Sequence, residues 1–145
     1  MKKKFKVALL GLAVAGTLTV TTIFVSDQTS ASITPEKEIE QTFDAYISAI
    51  KSGNADDMVK YTKDLRFEDV NIQNENYKKL PKDDVISTKV LSVKKEDDTH
   101  YLLSVDTKTK SAGKVQRLFP VIKEGNQWKI VVGQDTPYDP NNFKE

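Results

Sequence analysis

The chain has 145 residues, with 22 Lys plus Arg against 21 Asp plus Glu, a net charge of +1, and 38% hydrophobic residues. The first 31 residues hold four Lys and one acid, so the other 114 carry 18 basic and 20 acidic side chains and a net charge of −2. That balance argues against a polyanion-binding protein, 114 residues suit one small domain with one core, and zero Cys excludes disulfides, a thiolate nucleophile and a Cys-ligated metal.

Residues 1–6 are basic, residues 7–25 are uncharged with 13 apolar side chains, and residues 26–32 are small and polar. This is the layout of a secretory signal peptide, and Thr29-Ser30-Ala31 places small residues at −3 and −1 of a cut after Ala31. The competing reading is an uncleaved anchor, because nineteen helical residues span roughly 28 Å, close to the ~30 Å core of a bilayer. Four Thr, two Gly and the cleavage site stand against it. Both readings predict an extracytoplasmic domain, secreted or at the cell surface, that touches a membrane only through this segment.

Thr34-Pro35-Glu36 is a helix start, and apolar residues follow on one stripe at Ile39, Phe43, Tyr46, Ile47 and Ile50 before Gly53. The spacing predicts a helix over residues 35–51. Asn54 or Asp56 can cap a second, shorter helix through Leu65. Residues 65–70 alternate as a short strand. Residues 71–80 read as a loop with a helical piece near Asn76, stopped by Pro81.

From Asp84 the period becomes two. Four strands are expected at residues 85–94, 100–110, 114–123 and 127–134, joined by short loops and therefore antiparallel. A three-residue loop ending at Gly113 sets Val105 against Phe119 and Leu103 against Val121. A turn at Gly125-Asn126 sets Val121 against Ile130 and Lys123 against Trp128, and a five-residue loop at 95–99 adds Leu91 and Val93. One apolar face results. Pro120 predicts a bulge or kink in the third strand. The domain thus covers residues 32–134, and residues 135–145, rich in Pro, Asp and Asn, form a flexible tail.

The fold class expected is α+β: N-terminal helices packed on a curved, mainly antiparallel four-to-five-stranded sheet. This order of elements, with Phe43-Asp44-Ala45-Tyr46, Gly53-Asn54-Ala55-Asp56-Asp57-Met58 and Asn126-Gln127-Trp128-Lys129-Ile130, resembles small secreted bacterial members of the nuclear-transport-factor-2-like (cystatin-like roll) superfamily. The resemblance implies a conical pocket between the first helix and the sheet. It does not give a function, because the fold hosts enzymes, binding modules and assembly parts.

Groups able to do chemistry are sparse. The one His, His100, falls beside Glu96-Asp97-Asp98 at a loop end, where it reads as a rim residue rather than a cleft base. Asp56-Asp57 read as first-turn acids, and the acidic loop lacks calcium-loop spacing. Lys78-Lys79, Lys94-Lys95 and Lys108, Lys110 and Lys114 are scattered and predict no nucleic-acid surface. No metal, cofactor or catalytic residue is expected. Phe43, Tyr46, Phe67, Tyr77 and Trp128 are the candidates for a ligand-pocket lining, against their reading as ordinary core. Leu102, Leu118, Ile122 and Val131 fall on the opposite sheet face and predict an interface, either a homodimer or a protein partner.

The function expected is an exported, non-enzymatic domain that binds a small ligand or a protein partner at the cell surface. A membrane-anchored envelope or secretion-assembly component is the alternative. An isomerase or hydrolase of the same superfamily needs a carboxylate facing the cavity, for which Asp44 and Asp106 are the candidates.

Overall fold

A computed structural model of the chain describes residues 32–134. The expected signal, residues 1–31, and the expected tail, residues 135–145, lie outside the described residues. Helix α1 (Pro35–Ser52) starts where its local chemistry directs: Thr34 Oγ1 accepts from Lys37 N, Pro35 fills the first turn, and Glu36 and Glu38 face the positive helix end. It ends at Gly53, whose φ of 71° lets its N–H return to the last turn. Helix α2 (Ala55–Tyr61) is capped by Asn54, whose Oδ1 accepts from Asp57 N.

The next elements correct the sequence reading. Strand β1 is Thr62–Asp64; Leu65 N still donates to Val132 O, but residues 65–69 then turn and form no further strand. Their alternation has no buried side: Leu65 is 52% and Val70 60% exposed. Asp64 Oδ1 accepts from Arg66 N and bends the chain at that point. Helix α3 (Val70–Tyr77) then occupies the stretch read as a loop. Asp69 Oδ1 caps it by accepting from Asn71 N and Ile72 N, and its buried residues are only Gln73 and Tyr77, so no apolar stripe announced it.

Strands β2 (Val85–Lys95), β3 (His100–Thr109), β4 (Gly113–Glu124) and β5 (Gln127–Val132) form an antiparallel meander, with β1 added parallel to β5 in the order β1-β5-β4-β3-β2. The β4–β5 register is as expected, with Val121 opposite Ile130 and Lys123 opposite Trp128. The β3–β4 register is displaced by two: Leu103 faces Phe119 and Val105 faces Arg117, because the loop comprises residues 110–112. An even displacement keeps every side chain on its expected face. Leu91 is corrected from a core residue to the extra residue of a β2 bulge, 42% exposed, and Val93 faces Leu103 instead.

Two adjoining cores hold the layers together. Ile39 and Phe43 of α1 pack on Tyr101, Leu103, Val105, Val121, Trp128 and Ile130 of the sheet. Ala49, Ala55, Met58 and Tyr77 join the three helices in a second cluster, to which Tyr46 and Phe67 add partly buried rings. Among the described residues no helix is long and apolar enough to cross a membrane.

Candidate functional site

Pro120 produces the feature that matters most. The ladder to β3 runs through it, with Pro120 opposite Leu102, so the expected bulge in this strand is absent. The ladder to β5, however, ends at Val121↔Ile130. Lys123 N donates to Thr99 O, toward β3. Counting by twos, the nitrogens of Val121, Phe119 and Arg117 face β3, and those of Pro120, Leu118 and Gln116 face β5. The missing N–H of Pro120 therefore falls where β4 should bind β5. Beyond it β5 pairs only with β1, through Val131↔Lys63 and Val132↔Asp64. The sheet divides there.

The division opens a cleft of about 780 Å³. One wall is β4 from Val115 to Phe119, the other is Val131 to Gln134, and α1 supplies Phe43, Tyr46, Ile47 and Ile50. Gly133, at φ 79°, lets the chain leave the β5 line, and any Cβ there collides with Asp64 and Arg66. Arg117 lies between Val115 and Phe119 on the concave row and has no hydrogen bond or ion pair among the described residues. The Gln134 Nε2 is buried without an acceptor. Tyr46 has no hydrogen-bonded partner among the described residues. Burial first, then the nearby Tyr77 and Asp64, push its phenol far above the usual range, so it stays protonated.

Behind one wall sits a polar cluster that sequence reading missed. The Asp64 side chain is fully buried and accepts from Arg66 Nε (2.9 Å), Arg66 Nη2 (2.6 Å), Arg66 N (3.0 Å) and Tyr77 Oη (2.8 Å). Burial alone raises its pKa, but the bonds from Arg66 and Tyr77 outweigh it and hold the carboxyl below its ordinary value. Gln73 Nε2 donates to Thr62 Oγ1, which lies 3.4 Å from Tyr77 Oη and extends the network. An Asp two residues before an Arg was the available signal, but nothing in the spacing located Tyr77.

The five aromatic candidates separate. Phe43 and Tyr46 line the cleft. Phe67 and Tyr77 stack edge-on at 6.4 Å in the helical core. Trp128 packs edge-on against Tyr101 at 5.2 Å and donates from Nε1 to Glu38 Oε2 at 2.8 Å, so it is a core residue with its polar handle used. Of the outer-face candidates, Leu102 and Ile122 are half-buried and Val131 is 4% exposed. Leu118, with Val131, reaches the cleft because the sheet is divided there, and it is 43% exposed.

The remaining polar candidates lie elsewhere. Asp44 is exposed on α1, and Asp106 pairs with Lys114 at 3.1 Å on the outer face; neither lines the cleft. His100 is exposed and bonded to Asp97, whose carboxyl is held down to about 2 by the Thr99 N–H and then by His100. Asp57 accepts from Asn54 Nδ2, and Asp56 accepts from Asn74 across a groove of about 320 Å³ between α2 and α3. Among the described residues no group of three or more His, Cys, Asp or Glu is placed to hold a metal ion.

No protein-family model and no curated protein matches the chain. Solved structures do match. One is a ketosteroid isomerase-like protein from Erwinia carotovora atroseptica SCRI1043, at 15% identity and TM-score 0.46, covering 64% of this chain and 88% of that one. Another is a sec-c motif containing protein from Psychrobacter arcticus, at 15% identity and TM-score 0.49, covering 76% and 66%. A protein from Kribbella flavida DSM 17836 matches at 14% identity and TM-score 0.41, covering 63% and 81%.

Proposed function

We propose that the domain is an exported, non-enzymatic binding module of the nuclear-transport-factor-2-like type, and that its ligand or protein partner is held in the division between β4 and β5. The cleft carries this reading. It is concave, walled mainly by apolar side chains, and furnished with a few polar groups left without partners. Among the described residues its lining has no Asp, Glu or His, the groups that would move a proton on a bound molecule. The nearby buried carboxylate, Asp64, is ionised and committed to Arg66 and Tyr77. An isomerase or hydrolase reading finds no carboxylate or imidazole base among the described cleft residues.

Two measurements test the proposal. N-terminal sequencing of the exported product is expected to begin at Ser32, and a start at Met1 contradicts cleavage and favours the anchored alternative. In a ¹⁵N NMR screen against small molecules and peptides, the amides of Arg117, Leu118, Val132 and Gln134 are expected to shift first. Shifts confined to Leu102 and Ile122 would move the binding surface to the outer face.

A further inference from the structure

We infer that the cleft takes an amphipathic carboxylate: a molecule with an apolar tail and one acidic head group, seated with the head at Arg117 and the tail along α1. The inference rests on reading the cleft as a binding site and adds the chemistry of what fills it.

Among the described residues the charged side chains that line the cleft, Arg66 and Arg117, are cations. Arg117 offers a guanidinium with no acid bound to it among the described residues. Gln134 Nε2 is a buried donor lacking an acceptor, an arrangement that costs free energy until an acceptor arrives. Tyr46 keeps its proton and can donate. The backbone of Gln116 and Leu118 presents both N–H and C=O toward β5, which no longer runs beside them, so this edge offers donors and acceptors alike and the side chains set the sign of the charge preferred. Among the described residues no carboxylate lines the cleft, and the one close behind it is saturated by Arg66 and Tyr77. Arg66 is thereby neutralised, which leaves Arg117 as the cleft cation with no paired acid among the described residues.

That cation, the side-chain donors and an apolar wall of Phe43, Ile47, Ile50, Phe119 and Val132 specify a monoanion with a greasy body. A polyanion is disfavoured by the net charge of −2 on residues 32–145. The volume, about 780 Å³, lies within the range of pockets that hold small organic ligands.

The test uses the ¹⁵N-labelled full chain with three amphiphiles of equal tail length, each below its micelle concentration: dodecanoate, dodecanol and dodecyltrimethylammonium. Cross-peaks of the Gln134 side-chain amide and Arg117 Nε report the cleft itself, separately from any association with residues 7–25. Dodecanoate is expected to shift both and to bind at least about tenfold more tightly than dodecanol. Arg117→Gln should abolish that preference without weakening dodecanol, and Arg117→Lys should restore part of it. Arg117 is exposed, so these variants are expected to melt within about 2 °C of the parent. Equal binding of all three, unaffected by Arg117→Gln, overturns the carboxylate and leaves an apolar cleft. Failure of all three to shift either cross-peak overturns the carboxylate and the small-ligand reading together.

Discussion

Replacing Phe43 with alanine is expected to remove about 3–5 kcal/mol of stability and to lower the melting temperature by roughly 15–20 °C. Phe43 is 1% exposed at the centre of the contact between α1 and the sheet, and its ring lies 6.1 Å from that of Phe119. Truncation leaves a cavity that neither neighbour can close. The α1 backbone is tied at both ends by its caps, and Leu103 and Val105 beside it are already completely buried. Phe43→Leu should recover more than half of the loss, because most of the volume returns. Thermal unfolding monitored by circular dichroism makes the comparison. A shift of only a few degrees for Phe43→Ala would mean that α1 does not pack on the sheet as described.

Asp64→Ala is expected to cost about 2–4 kcal/mol. The change leaves Tyr77 Oη and the Arg66 N–H groups without their acceptor, and it removes the bond that turns the chain after β1. The figure is below that of a fully buried pair because the Arg66 side chain is 56% exposed and water replaces part of what it loses. The group also makes stability depend on pH. Its folded-state pKa is depressed, so its contribution is complete above the unfolded value of about 4 and disappears as pH falls through the folded value. Urea unfolding at pH 7 and pH 3 should therefore show a smaller difference between parent and Asp64→Ala at pH 3. An equal or larger difference at pH 3 would contradict the ionised, bonded carboxylate.

The antiparallel part of the fold was legible because two independent signals coincide there. Alternation sets the faces, and short loops holding Gly113 and Gly125 set the pairing. Even the two-residue error between β3 and β4 preserved the inner face. Helix α1 was legible from its caps and stripe. Strand β1 and α3 were not. A three-residue strand has no periodicity to read, and α3 buries a glutamine and a tyrosine instead of an apolar stripe. The aromatic residues showed that rings are buried, but composition cannot say which ring faces a cleft and which fills a core. Pro120 was visible as an anomaly. Its consequence depended on which neighbour its nitrogen faces, and that needs the register. The cleft then arises from Pro120 on one strand and Gly133 on another, residues brought together only by the fold. The donors that give it chemical character, Arg117 and Gln134, carry no local motif.

The division of the sheet is tested most directly by hydrogen exchange of the β4 amides, read residue by residue by NMR in the unliganded protein. The N–H groups of Val115, Arg117 and Phe119 face β3 and should be protected for hours, whereas those of Gln116 and Leu118 face the cleft and should exchange within minutes. Alternating slow and fast exchange along residues 115–119 is the predicted result. Uniform protection of all five amides would mean that β4 is paired on both sides, that the cleft is closed, and that the binding function assigned to it is wrong.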